Sequence, residues 1–104
     1  ALMPNPELML LDEPASGLDL GGREDLLKRL TALASDPTAP ATIMITHHIE
    51  EIPVGTTHAL LLNEGETIAV GNIVDVITSE NLSKAYGLQV TVQQEAGRYF
   101  ARAI

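Results

Sequence analysis

The stretch Leu8-Met9-Leu10-Leu11-Asp12-Glu13-Pro14 constrains this chain more than any other. Four apolar residues running into two acids read as a strand covered on both faces. Such a strand carries its carboxylates to the carboxyl edge of a parallel sheet, where open α/β folds place their ligands. Two adjacent carboxylates at that edge repel each other and are costly to desolvate, so the position calls for something that uses them. A magnesium ion and the water it organises are the natural users.

The remaining pattern alternates strands and helices. Residues 7–12 form the first strand. Leu26, Leu27, Leu30, Leu33 and Ala34 then recur at helical spacing, with Asp19 or Leu20 near the start and Arg23, Glu24, Lys28 and Arg29 on the wet side. The run Ser35-Asp36-Pro37-Thr38-Ala39-Pro40 is a turn cluster, and residues 41–46 are a second apolar run with β-branched members. Strand, helix and strand in this order imply a right-handed parallel βαβ unit. Residues 47–52 have room for about a turn and a half of helix before Pro53 stops it. Residues 58–63 and 66–70, joined at Glu64-Gly65, read as a hairpin. Residues 72–77 and 79–86 read as short helices, the second closed by Gly87. Residues 88–95 and 98–104 alternate around Ala96-Gly97 as a terminal hairpin.

Composition removes several function classes. Fourteen acids against six Lys and Arg give a net charge of −8, which opposes binding to nucleic acid or anionic lipid. Any phosphate contact then runs through a metal ion, backbone amides or histidine. The absence of cysteine excludes a disulfide framework and a thiolate metal site, and fits a reducing compartment. No apolar run approaches the roughly 20 residues that span a bilayer. With 104 residues and 45% apolar content, the pattern holds too few layers to enclose a two-sided parallel sheet.

The run from Leu8 through Glu13-Pro14 to Ser16-Gly17-Leu18-Asp19 resembles a Walker B motif continuing into the D-loop of ATP-binding cassette (ABC) ATPases. Ile45-Thr46-His47 resembles the switch-histidine motif of the same family. Both motifs together, one βα unit apart, are far more specific than an apolar run ending in an acid. The resemblance implies an α/β fold: part of a P-loop NTPase (RecA-like) parallel sheet with a helical crossover, plus C-terminal β-hairpins. Residues 1–87 are then the C-terminal part of the nucleotide-binding domain, and residues 88–104 a terminal hairpin appendage.

The same resemblance assigns roles. Asp12 takes the metal, Glu13 takes the attacking water as base or orienter, and His47 contacts the γ-phosphate. Ser16, Gly17, Leu18 and Asp19 form the D-loop, which meets the partner subunit in a nucleotide sandwich dimer; Asp19 also reads locally as a helix N-cap. ATP and Mg²⁺ are the implied cofactors. A second ABC ATPase domain is the implied partner, with membrane permease subunits added in a transporter and no nucleic acid. The implied location is cytoplasmic, at the inner face of the membrane through a permease. At His48 the family often has an acid, so no role carries over, and His58 reads as structural.

The chain contains no G-x-x-x-x-G-K-[ST] loop, since its only lysines, Lys28 and Lys84, lie in Leu27-Lys28-Arg29 and Ser83-Lys84-Ala85. The family's LSGGQ-type signature is missing as well. The chain therefore resembles the C-terminal half of a nucleotide-binding domain, and by itself is expected to be inactive and poorly soluble or loosely folded. In the family, the switch-histidine strand lies beside the Walker B strand. Residues 41–46 should then pair in parallel with residues 7–12, with no ladder from 41–46 to 58–63. Two rival classes stand beside this reading. One is a metal-binding module using His47, His48, Glu50 and Glu51; Pro53 leaves little helix for it and no H-E-x-x-H pattern occurs. The other is a non-catalytic interaction domain, against which stands the presence of both Glu13 and His47.

Overall fold

The structure is a computed structural model that describes residues 8–104, so residue 7, expected to open the first strand, lies outside the described residues. Strand β1 (Leu8–Asp12) leads to helix α1 (Leu20–Ala34), strand β2 (Ala41–Ile45) and a single 3₁₀ turn at Ile49–Glu51. Hairpin β3 (His58–Asn63) and β4 (Glu66–Asn72) follows, then the short helices α2 (Ile73–Val76) and α3 (Ser79–Tyr86), and hairpin β5 (Val90–Glu95) and β6 (Arg98–Ala103). The chain divides into two compact units, one ending at Gly55 and one running Thr56–Ile104.

In the first unit β1 and β2 pair in parallel, with Leu8 opposite Ala41, Leu10 opposite Ile43 and Asp12 opposite Ile45. The pairing expected from the sequence is present, and among the described residues β2 is laddered to β1 alone while β3 is laddered to β4 alone. One expectation needs correction. The Walker B-like strand is not covered on both faces: Leu8 and Leu10 are 55% and 61% exposed, because alternate side chains of a two-stranded pair point away from whatever the other face covers. Asp12 and Glu13 are exposed too, so their carboxylates are not desolvated.

Helix α1 starts where its cap dictates. The Asp19 carboxylate oxygen Oδ1 accepts from the backbone N–H of Gly22 at 2.8 Å, satisfying one of the donors that a helix start leaves without an intrahelical partner. On the apolar face Leu27 is buried, Leu26 and Leu30 are half-buried, and Leu33 is exposed. Arg23 and Glu24 are half-buried rather than fully wet, with Arg23 Nε 3.3 Å from Glu24 Oε2. Ion pairing lets the aliphatic stems lie along the surface while the charged heads satisfy each other. In the turn before β2, two hydrogen bonds from Thr38 to Asp36 hold that carboxyl below its ordinary pKa. The segment after His47 is shorter than the turn and a half expected: one 3₁₀ turn, after which the chain is already extended at Ile52, as the residue before a proline favours.

The second unit has its own core. Val76 and Leu82 are almost fully buried, and Ile77, Val90 and Tyr99 join them as buried side chains. Helix α3 is pinned at both ends. Thr78 Oγ1 accepts from the Asn81 N–H at 3.1 Å, and Gly87 adopts φ +72°, the left-handed C-cap conformation that a side chain would strain. The side-chain amide of Asn81 donates back to the carbonyls of Asp75 and Val76, tying α3 to α2. Two serines of α3 bind β5 directly: the Val92 N–H donates to Ser79 Oγ at 2.8 Å and the Val90 N–H to Ser83 Oγ at 3.0 Å. The β3–β4 ladder slips between Leu61 and Leu62, an irregularity the alternation of residues did not announce. α2 is limited to Ile73–Val76, within the 72–77 expected. Among the described residues no helix is long and apolar enough to cross a membrane.

Candidate active site at the end of the parallel pair

Parallel pairing has one geometric consequence that antiparallel pairing lacks: the carboxyl ends of both strands leave the sheet on the same side. Asp12 lies opposite Ile45, and the Glu13 N–H continues the ladder by donating to the Ile45 carbonyl at 2.8 Å. Residues just beyond either strand are therefore neighbours. Glu13 and His47, 34 positions apart in sequence, meet with His47 Nε2 3.2 Å from Glu13 Oε1. Both side chains stay open to solvent, at 45% for Glu13 and 78% for His47, so a ligand can reach them.

Glu13 sits at φ +48°, in the left-handed region, where a non-glycine residue is destabilised by about 1–2 kcal/mol. Strain of this kind at a strand end is held by its surroundings. Here the Ile45 carbonyl receives the Glu13 amide, and the Glu13 carbonyl accepts from the Ser16 N–H at 3.1 Å. The chain then turns again, with the Leu18 N–H donating to the Ala15 carbonyl at 3.1 Å. Gly17 takes φ +81° in that turn, a conformation that any Cβ would strain. Ser16, Gly17, Leu18 and Asp19 are all exposed, whereas Ala15 beneath them is buried. Asp19 closes the segment as the N-cap of α1. Asp19→Ala should therefore lower stability by about 0.5–2 kcal/mol through loss of the cap. A denaturant titration reads this as a shift in midpoint at constant slope, and an unchanged midpoint would contradict it.

The structure thus brings together Asp12, Glu13 and His47 at one sheet end and carries residues 16–19 away from it as an exposed turn. It does not bring together His47, His48, Glu50 and Glu51 as a metal cage. Glu51 is buried and accepts from Thr46 Oγ1 at 3.0 Å, while His47 reaches Glu13. Among the described residues no group of three or more His, Cys, Asp or Glu is placed to hold a metal ion. His58 opens β3 with its Nδ1 2.9 Å from Thr57 Oγ1, a local contact. Sequence reasoning missed the Thr46–Glu51 bond. The available signal was a hydroxyl residue just before a short helical turn that contains an acid, a pattern related to N-terminal capping.

No protein-family model matches the chain. Among curated proteins it is 41% identical over 100 residues to the "Uncharacterized ABC transporter ATP-binding protein YlmA" of Bacillus subtilis (strain 168), covering 96% of this chain and 38% of that protein. It is 37% identical over 89 residues to the molybdenum import ATP-binding protein ModC of Shewanella oneidensis, covering 86% of this chain and 24% of ModC. Among solved structures it superposes on an ABC transporter in an inward-facing conformation with a TM-score of 0.74 and 30% identity, over 94% of this chain and 39% of that one. The chain spans well under half the length of these relatives. The sequence similarity runs through nearly the whole chain and the superposition includes its α/β fold, so the chain is similar along nearly its whole length to a part of the ATP-binding proteins of ABC transporters.

Proposed function

We propose that the chain supplies the water-positioning and γ-phosphate-sensing half of an ABC ATPase nucleotide-binding domain, in a protein that binds and hydrolyses ATP as the ATP-binding subunit of a transporter. The observation that carries this reading is the meeting of Glu13 and His47 at 3.2 Å, beside Asp12, at the carboxyl end of a parallel pair. In it Glu13 accepts a proton from the attacking water or orients that water, and His47 contacts the γ-phosphate. Positioning of this kind is most of what phosphoryl transfer asks of a protein.

Asp12 is the metal-facing carboxylate of this reading. The donor set fits Mg²⁺, a hard cation that proteins commonly hold through one or two carboxylates together with nucleotide phosphates and water. No cage of three protein ligands among the described residues is needed for that. Bound there with ATP, Mg²⁺ would neutralise charge developing on the phosphate oxygens. Ser16, Gly17, Leu18 and Asp19 form an exposed turn suited to meeting a second ABC ATPase domain across a nucleotide sandwich. Membrane permease subunits are the further partners, and they place the protein at the cytoplasmic face of the membrane.

Residues 1–87 belong in this reading to the C-terminal part of the nucleotide-binding domain. The hairpin of residues 88–104 is an appendage held to α3 through Ser79 and Ser83. The exposed Leu8 and Leu10 are then surfaces that the remainder of the domain covers. Because the 104-residue sequence holds no G-x-x-x-x-G-K-[ST] loop to cradle phosphates, the chain by itself should show no micromolar ATP binding in calorimetry. The complete subunit should bind ATP in the same assay. Micromolar binding by the isolated chain would overturn the proposed division of labour.

A further inference from the structure

Glu51 is the buried charged residue of the described chain, 8% exposed, and it lies four positions beyond His47. A carboxylate shielded this far from water needs hydrogen-bond donors. It receives one from the Thr46 hydroxyl at 3.0 Å. The same hydroxyl oxygen accepts from the backbone N–H of His48 at 3.1 Å. The 3₁₀ turn is closed in addition by the Glu51 N–H, which donates to the His48 carbonyl at 3.0 Å. His47 therefore sits in a short loop whose preceding residue and following amide are held by one hydroxyl, and that hydroxyl is in turn held by Glu51. Its own imidazole is well exposed, so little burial fixes where the ring points.

We propose that the Glu51–Thr46 bond is the positioning clamp that aims His47 at the γ-phosphate, with Glu51 acting through Thr46 and never touching nucleotide. The inference rests on the proposed role of His47. It adds that a residue otherwise readable as a metal ligand is spent on loop geometry. A ligating role would require Glu51 to turn outward and leave the Thr46 hydroxyl only the His48 carbonyl, at 3.5 Å, as an acceptor.

The test uses the complete ATP-binding subunit. Thr46→Val, nearly isosteric but lacking the hydroxyl, should lower kcat about tenfold or more, since small misplacements of a positioning group have effects of that order. KM for ATP should stay within about twofold, the signature of an interaction felt mainly in the transition state. Thr46→Ser and Glu51→Gln, which keep the donor and an acceptor oxygen respectively, should remain close to wild type. Glu51→Ala combined with Thr46→Val should lose no more than Thr46→Val alone, because that variant already breaks the bond to Glu51 together with the one from the His48 amide. Independently of turnover, amide hydrogen exchange at His48 should accelerate about tenfold in Glu51→Ala, which leaves the direct acceptor in place but frees it to move. It should be unchanged in Glu51→Gln.

Wild-type kcat in Thr46→Val, additive losses in the double variant, or unchanged His48 exchange in Glu51→Ala would each overturn the clamp. His47→Ala separates the two levels of inference. If it turns over at the wild-type rate, the role of His47 itself is wrong; if it is impaired while Thr46→Val is not, only the clamp fails. Should Glu51→Ala not fold, the Thr46→Val and Thr46→Ser pair decides the question from kcat and His48 exchange alone.

Discussion

Glu13→Gln in the complete ATP-binding subunit should leave ATP binding near the wild-type level while lowering kcat by about 10² to 10⁴, the range that a positioned general base contributes. The amide keeps the size and shape of the carboxylate. It loses the charge and the second acceptor oxygen with which Glu13 would take or orient a water proton. The geometry makes this variant clean, because the Glu13 backbone, held at φ +48° by bonds to Ile45 and Ser16, does not depend on the side chain. The side chain is also half open to solvent and supports no core. A stability change is therefore not the expected source of any loss. Single-turnover measurements at saturating ATP separate chemistry from binding and product release. Turnover of Glu13→Gln at the wild-type rate would remove this carboxylate from the mechanism.

The second large effect is on stability. Leu82 has no exposed surface and sits in α3 with Val76, Ile77, Val90 and Tyr99 as the other buried side chains of its unit. Leu82→Ala should lower the unfolding free energy of the complete subunit by about 2–5 kcal/mol, combining lost transfer free energy with the cavity left behind. Leu82→Met, close to volume-conserving, should cost less than about 1.5 kcal/mol. Denaturant unfolding of the two variants beside wild type measures both. A Leu82→Ala loss no larger than that of Leu82→Met would mean that the core of this unit lies elsewhere. The same substitution separates folding from chemistry, since Leu82 belongs to the core of the second compact unit and Glu13 and His47 belong to the first. At temperatures where the variant is folded, the ATPase rate per folded molecule should stay near wild type.

Much of the local structure was legible because its causes are local. Asp19 announces the start of α1 because a short carboxylate reaches the amide three residues on, and it does so at 2.8 Å. Gly87 announces the end of α3 for the converse reason, a left-handed backbone that glycine alone adopts without strain. The alternation broken by Glu64-Gly65 and Ala96-Gly97 located both hairpins, although β4 runs on to Asn72 rather than ending at residue 70, β5 starts at Val90 rather than at residue 88, and the first ladder slips at Leu61 and Leu62. At the candidate site, the acids after an apolar run and the Thr46-His47 pair after another identified the residues, and the likeness to ABC ATPases identified which strands lie side by side.

By itself, then, the sequence determined the order and type of the strands and main helices, which residues stand at the ends of β1 and β2, and that those ends carry acid and imidazole. Each of these follows from side chains acting within a few residues of their own backbone. Tertiary structure alone decided the rest. The parallel register set Glu13 within 3.2 Å of His47, and the exposure of Leu8 and Leu10 corrected the expectation of a strand covered on both faces. It also turned Glu51 inward to the Thr46 hydroxyl, which no spacing rule fixed in advance. The physical reason is common to the first two: how buried a group is, and which partner it finds, depends on segments distant in sequence being brought together, whereas Glu51 meets Thr46 only five positions away and packing added its burial. A one-dimensional pattern specifies which groups need partners, and only packing in three dimensions supplies them.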